Sequence, residues 1–363
     1  MARKHPSPHP GTLVSLEHRS QVLGDNPLGD PFERVLQVYL PPGYDAGRRR
    51  KRFPVLFDLV GYTGAGPAHT HWKNFDENVP ERLDRLIGNG VMPPCIVVFP
   101  DCFTALGGNQ YINSSAIGAY ADYLVDELVP FVDAQFRTHG DARHRGCFGK
   151  SSGGYGALVH GMLYAHCWGA VASHSGDCDF DFVYKTEWPG ALTELQRYVR
   201  PALKPGRRTR AAAQPAPGLD DGRIQRFLAQ LWQNPRPNGN EIMTLMMVCM
   251  AATYDPDPTA PLGFRIPYDM NTGEFIEAHW AAWRAHDPLN LVARHADALR
   301  GLRALYIDCG WRDQYHIHFG TRRLADSLRQ LGVPHRFEEF DDTHSGIDYR
   351  MDVSLPYLAR ALS

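Results

Sequence analysis

Along this chain apolar residues gather into short runs, and most runs end in a glycine or proline turn. Residues 12–23 and 32–40 alternate apolar with polar positions, with Val35, Leu36, Val38 and Leu40 dense in the second, so both read as strands. Pro41-Pro42-Gly43-Tyr44-Asp45 is the turn that closes them. Phe53-Pro54-Val55-Leu56-Phe57-Asp58-Leu59-Val60 then runs into Gly61-Tyr62-Thr63-Gly64-Ala65-Gly66, the form of a buried parallel strand feeding a glycine-rich loop. A helix is expected over 78–88 and a second buried strand over 95–100. Strand, helix and strand in that order imply a parallel sheet.

Farther on, Ile117, Tyr120, Leu124, Leu128 and Phe131 recur at helical spacing and predict a helix over 115–136, kinked or restarted at Pro130. A strand over 145–149, a helix over 152–164 and a buried strand over 169–173 follow. Strands at 302–308 and 336–340 and helices at 316–331 and 348–362 complete the series.

Between 177 and 287 the pattern changes. Ile224, Phe227, Leu228, Leu231 and Trp232 make one apolar helical stripe, and 242–252 is apolar almost all round. Core filling accounts for such a segment. Its methionines Met243, Met246 and Met247 are also candidates to line a deformable substrate pocket, because thioether side chains adapt to varied shapes. Residues 201–222 have few bulky apolar side chains and read as an exposed loop. The chain therefore divides into an α/β catalytic domain, 1–176 with 288–363, and an inserted, mainly helical cap, 177–287. The cap is expected over the C-terminal edge of a mostly parallel sheet with helices on both faces, where open α/β folds bind ligands.

Composition narrows the partners more than the fold. With 363 residues, 43% of them hydrophobic, the chain can bury a large core, and a net charge of -2 gives no global attraction to nucleic acid or an anionic membrane. Arg3 and Lys4 lead into no apolar run, and no stretch approaches the roughly 18 apolar residues of a membrane span. The expectation is a cytoplasmic protein with a small-molecule partner and no nucleic acid or membrane, with self-association left open. The seven cysteines are odd in number and spread through apolar contexts, so they read as reduced core residues. His69-Thr70-His71 and His316-Ile317-His318 lack further spaced ligands, and no metal or cofactor is expected. Arg48-Arg49-Arg50-Lys51-Arg52 lies between a turn and a strand and reads as a solvated loop.

Candidate chemistry centres on Gly149-Lys150-Ser151-Ser152-Gly153, which a strand enters and a helix leaves. In a G-x-S-x-G turn the serine is pushed into a strained conformation above the sheet, and only glycine fits two residues either side. A phosphate loop would also contain Gly-Lys-Ser, but its first glycine would fall at His144. Ser151 is thus the candidate nucleophile. A serine hydroxyl needs a base to remove its proton and a third group to orient that base. Asp313 follows one later strand and His344 the next, giving the order Ser151, Asp313, His344. Asp308, inside its strand, is the rival acid. The Ser152 N–H and an N–H of the Gly61-Tyr62 turn, with Tyr62 favoured, would form the oxyanion hole. Gly61, Lys150, His174 and Asp177 are further candidates to touch substrate, with a plain polar rim as the alternative for His174 and Asp177.

These residues resemble the putative-esterase family of α/β-hydrolases, which includes enterochelin esterases, S-formylglutathione hydrolases, feruloyl esterases and mycolyltransferases. The likeness rests on Val38-Tyr39-Leu40-Pro41-Pro42-Gly43-Tyr44-Asp45, Phe53-Pro54-Val55-Leu56, Pro93-Pro94-Cys95-Ile96-Val97-Val98-Phe99-Pro100-Asp101, Tyr123-Leu124-Val125-Asp126-Glu127-Leu128-Val129-Pro130 and the elbow, and it spans most of the chain outside 177–287. It implies an α/β-hydrolase fold with Ser151, Asp313 and His344 as the triad. Val60-Gly61 stands where the family usually has His-Gly, and the cap is longer and richer in methionine than the resemblance predicts. The function expected is a serine carboxylic ester hydrolase acting through an acyl-enzyme on a small-molecule ester, aromatic or siderophore-like. An acyltransferase or thioesterase would use the same triad, and a catalytically silent binding protein would keep the fold alone.

Overall fold

Strands that are apolar on both faces must be covered on both sides, and this requirement organises the fold. The computed structural model describes residues 10–44, 51–199 and 216–363. Arg48, Arg49 and Arg50 of the basic run, and most of the loop expected at 201–222, lie outside the described residues. The strands are β1 (Thr12–Arg19), β2 (Glu33–Leu40), β3 (Val55–Leu59), β4 (Ile96–Phe99), β5 (Asn113–Ser114), β6 (Gly118–Ala119), β7 (Arg145–Lys150), β8 (Ala170–His174), β9 (Ala304–Gly310) and β10 (Arg336–Phe340). The central sheet has the order β1-β2-β4-β3-β7-β8-β9-β10, and β4 through β10 in that order pair in parallel. Only β2 runs against its neighbours β1 and β4. This is an α/β-hydrolase fold.

The interior strands β3, β4, β8 and β9 are buried along their whole length, whereas the edge strands β1 and β10 are largely open. Side chains alternate between two cores. Leu56, Phe148, Ala170 and Ala172 face the helices Val79–Gly88 and Met351–Leu362. Val55, Phe57, Cys147 and Val171 face the opposite core, which contains the helix Ser152–Leu163. The helix Val79–Gly88 starts where Asn78 accepts from the Glu81 N–H at 2.9 Å while Glu81 accepts from the Asn78 N–H, a reciprocal cap.

One expected helix is shorter than its pattern. Over 115–136 the helical spacing begins too early, because Asn113-Ser114 and Gly118-Ala119 pair as the hairpin β5–β6 and the Asn113 side chain accepts from the N–H groups of Ala121 and Asp122. Helix therefore starts at Tyr120. Ahead of Pro130 the ladder widens into a π turn, in which the Val129 N–H reaches the Leu124 carbonyl. Pro130, with no N–H to give, then sits in the first turn of the helix Val129–Gln135.

Between β8 and β9 lie the helices Trp188–Leu195, Arg223–Leu231, Gly239–Tyr254 and Glu277–Arg284. They share one continuous core with the sheet. Tyr254 meets Tyr155 of the elbow helix edge-on at 5.9 Å, and Trp283 packs against Tyr254, Tyr184, Trp188 and Trp280. Met247 and Met250 lie wholly inside this core. All seven cysteines are buried and free. Among the described residues no helix is long and apolar enough to cross a membrane.

Within the elbow helix, His160 is fully buried with both ring nitrogens used. Its Nε2–H donates to the Tyr111 carbonyl at 2.7 Å, and Nδ1 accepts from Trp168 Nε1–H at 3.0 Å. Burial pulls its pKa down to about 4, against the stabilising bond to Tyr111. The folded value lies below the unfolded one, so this contribution to stability is present above the unfolded pKa and is lost as pH falls towards 4. The shift corresponds to about 3 kcal/mol. Urea unfolding should therefore weaken steeply between roughly pH 6.5 and 4, and His160→Gln should remove much of that slope. An equally steep slope in the variant would assign the acid sensitivity elsewhere.

Candidate active site

At the end of β7 the chain turns into the helix Ser152–Leu163 with Ser151 at the apex, at φ 56° and ψ -126°. A non-glycine residue in this region stores on the order of 1–3 kcal/mol. The strain is held by two backbone bonds, from the Ser151 N–H to the His174 carbonyl at 3.0 Å and from the Tyr155 N–H to the Ser151 carbonyl at 2.9 Å. Gly149 and Gly153 are needed for a specific reason. A Cβ on either would overlap the carbonyl oxygen of Leu59 at the end of β3. Leu59 pairs with Gly149 across the sheet, so the elbow is pressed against the neighbouring strand end.

The loop after β3 passes beside Ser151, with a Cβ on Gly61 falling 3.6 Å from that of Ser151. Among the described residues the N–H groups of Tyr62 and Ser152 donate to no protein acceptor. The Tyr62 phenol points away, donating to the Leu106 carbonyl at 2.6 Å, which leaves its backbone facing the cavity. The Ser152 side chain is likewise engaged elsewhere, accepting from Gln110 Nε2 at 2.7 Å and donating to Asp177 Oδ2 at 3.3 Å.

Beyond β9 and β10 two loops meet. Gly310 touches the Asp342 carbonyl so closely that no Cβ fits, and the Arg312 N–H donates to the same carbonyl at 3.1 Å. This contact brings Asp313 to His344. His344 Nδ1 donates to Asp313 Oδ2 at 2.7 Å, and Asp313 Oδ1 accepts from the Tyr315 N–H at 2.9 Å. The His344 N–H is tied to Gln314 Oε1 at 3.0 Å, and the Tyr315 ring stands edge-on to the imidazole at 4.9 Å. Asp313 and His344 are both buried.

Ser151 and His344 line one cavity of about 490 Å³. Gly61, Tyr62, Lys150, Asp177, Met243 and Met246 line it as well. His174 and Met247 do not, and the reason is register. His174 follows Ala170 and Ala172 on the face of β8 turned to the helix Met351–Leu362, where its Nδ1 donates to Asp308 at 2.7 Å and its Nε2 accepts from Ser354 at 2.8 Å. Met247 faces the core of its helix and is wholly buried. Asp308 is thus held by a histidine, but a different one. Burial opposes the Asp308 charge, while His174 and Arg350 favour it and hold its pKa below the usual carboxylate range.

Several cavity residues carried no sequence signal for this place. Tyr315 and Ile242 are ordinary apolar or aromatic positions in the sequence. His69 stood out only in an H-x-H pair, yet its Nδ1 donates to the buried Asp58 at 2.7 Å. Burial alone would lower its pKa, but Asp58 outweighs burial and raises it. Asp177 is pushed up by burial, against the bonds from Tyr184 and Ser152. Lys150 is pulled down by burial.

The profile of the Putative esterase family matches residues 31–354. The chain belongs to that family. Among its relatives is an esterase of Mycobacterium tuberculosis, 33% identical over 161 residues, which cover 42% of this chain and 32% of that protein. An endo-1,4-beta-xylanase/feruloyl esterase of Xylanibacter ruminicola is 32% identical over 128 residues, 33% of this chain and 16% of that protein. The matches thus span a third or less of those relatives. A solved ferulic acid esterase superposes with TM-score 0.60 at 18% identity, covering 97% of this chain and 99% of that one. An S-formylglutathione hydrolase from Agrobacterium tumefaciens superposes with TM-score 0.55 at 16% identity, covering 97% and 96%. At such identities these structures share the fold.

The glycine requirement is open to test. Gly153→Ala should lower the urea unfolding midpoint by the equivalent of ~2 kcal/mol or more, or abolish soluble expression, because its methyl overlaps backbone that cannot move alone. Gly239→Ala, whose Cβ meets nothing within 4 Å, is the control and should be neutral or stabilising.

Proposed function

We propose that this chain is a serine carboxylic ester hydrolase that works through an acyl-enzyme on small esters with an apolar, aromatic acyl or alcohol part. The observation that carries the reading is the 2.7 Å bond from His344 Nδ1 to Asp313 Oδ2, beside a strained serine in the same cavity. That bond fixes the tautomer, leaving Nε2 unprotonated and able to take the Ser151 proton. Attack forms the Oγ–C bond, and charge collects on the former carbonyl oxygen. The N–H groups of Tyr62 and Ser152, which have no protein acceptor among the described residues, would meet it, each worth ~3 kcal/mol by mutational loss at such sites. Collapse breaks the ester C–O bond as His344 protonates the leaving alcohol. Water then attacks the acyl-enzyme, giving its proton to His344, and Ser151 is released with the acid. Asp313 stays ionised and balances the imidazolium. No step in this cycle calls for a metal or cofactor.

The aromatic preference is supported by the cavity lining, which includes Ile242, Met243, Met246 and Tyr315 together with the Gly61-Tyr62 turn. Relatives named as feruloyl esterases agree with it.

Ser151→Ala should cut kcat on a short 4-nitrophenyl ester by on the order of 10⁶. Retained turnover would end the assignment. The two His–Asp pairs give a second test. Asp313→Asn should lower kcat by roughly 10⁴ with little loss of stability, since it leaves the histidine in the wrong tautomer. Asp308→Asn should lower the unfolding midpoint and leave kcat of the folded protein within about threefold, because His174 and Arg350 are its partners. The reverse pattern would make Asp308 the orienting acid.

A further inference from the structure

Beside its apolar residues the cavity is lined by Asp177, Asp348, His69 and Lys150, and these differ in how they are paired. Asp348 lines it but is taken by Lys73 at 3.0 Å. His69 lines it with Nδ1 held by Asp58, which raises its pKa against burial and so favours the imidazolium form, in which Nε2 also donates, and Nε2 meets no protein acceptor among the described residues. Asp313 is engaged by His344. Asp177 is buried and accepts from Tyr184 at 2.6 Å and from Ser152 at 3.3 Å, and burial raises its pKa. Lys150 lines the cavity directly before Ser151, largely shielded from water, and among the described residues it forms no hydrogen bond or contact ion pair. The carboxylates that act on its charge are Asp348, already bound by Lys73, and Asp313, already bound by His344. A shielded ammonium with no contact partner of its own gains from a ligand anion that reaches it directly.

We propose that Lys150 and His69 form a subsite for a carboxylate carried by the ester substrate, so that the preferred substrates are half-esters or esters of carboxylate-bearing acids or alcohols. One ammonium without a contact partner, with a histidine in the same cavity, suits a monoanion better than a phosphate dianion. The carboxylate would sit at Lys150, and the apolar part of the substrate against Met243, Met246 and Ile242. This rests on the ester-hydrolase reading of the same site. It makes Lys150 a specificity residue for that reaction.

The test uses two matched pairs of substrates. Mono-4-nitrophenyl glutarate is compared with its methyl ester for a charge on the acyl side. Then 4-acetoxybenzoate is compared with methyl 4-acetoxybenzoate for a charge on the leaving side. In the wild type at least one pair should show a kcat/KM preference of tenfold or more for the charged member. Lys150→Gln should erase that preference, Lys150→Arg should keep most of it, and His69→Gln should reduce it. Equal treatment of both pairs by wild type and Lys150→Gln would overturn the proposal.

A second measurement needs no turnover. Calorimetric titration of the Ser151→Ala protein with glutarate and with benzoate should show binding that is lost when Lys150→Gln is added. Equal binding, or none, in both proteins would overturn the subsite. Failure of every ester to turn over, with this binding intact, would count against the hydrolase reading and not against the subsite.

Discussion

The contact on which the site depends is the one between the carbonyl end of β3 and the elbow. Leu59 presents its oxygen to Gly149 and Gly153, and no side chain fits at either position. A close backbone approach of this kind fixes more than a turn. The residues that follow Leu59 are Val60, Gly61 and Tyr62, so the same packing that forbids a Cβ sets this loop beside Ser151. A Cβ on Gly61 would fall 3.6 Å from that of Ser151, and among the described residues the Tyr62 and Ser152 N–H groups, the proposed oxyanion donors, have no protein acceptor. In catalysis by preorganised dipoles, donors must be in place before charge develops. Here their placement is a packing consequence of two strand ends.

Two of the histidine–aspartate pairs have matching 2.7 Å bonds, and access to the cavity separates them. His174 and Asp308 are register partners on β8 and β9, with Glu338 next in line on β10. Ser354, Arg350 and Tyr306 complete a hydrogen-bonded network beneath the helix Met351–Leu362. Its serine, histidine and aspartate are connected as in a catalytic triad, yet all three are closed to solvent and line no part of the active-site cavity. Such a network orders a core, and reactivity needs an open face. Asp313, three residues past the end of β9, escapes the sheet and reaches His344 at the cavity.

This difference also marks what could be read from the chain alone. The elbow was legible because glycine spacing is a local steric rule, and Asp313 and His344 because each follows a strand end in the order such sites require. The parallel sheet was legible from runs apolar on both faces. That same property hid the direction of His174: where both faces of a strand are buried, polarity no longer alternates, and only its parity with Ala170 and Ala172 tells which way it points. Met247 differs from Met243 and Met246 by one helical step, a choice that an all-apolar helix leaves open. His69 draws its meaning from Asp58, a pairing that exists only once the loop folds back over β3.

The insertion reaches the chemistry through a segment that touches no substrate position. Tyr111, itself at φ 60°, donates through its phenol to the Val60 carbonyl at 2.6 Å, directly before the Gly61-Tyr62 turn. Its own carbonyl is held by His160 of the elbow helix. Gly108 closes on the Tyr62 backbone, where a Cβ could not fit, and Gln110 anchors the Ser152 side chain. On its far side the same segment is gripped by the insertion: Cys249 donates to the Gly108 carbonyl at 3.6 Å and Gln110 donates to Met250 Sδ at 3.0 Å. Residues 106–111 are therefore clamped between the elbow helix and the helix Gly239–Tyr254, and Tyr62 and Ser152 are both packed against them. Met243 and Met246 line the pocket, and Met250, seven and four residues further along the same helical stripe, accepts from Gln110. Pocket wall and polar frame are therefore built from one face of the helix, since residues three, four and seven apart line the same side.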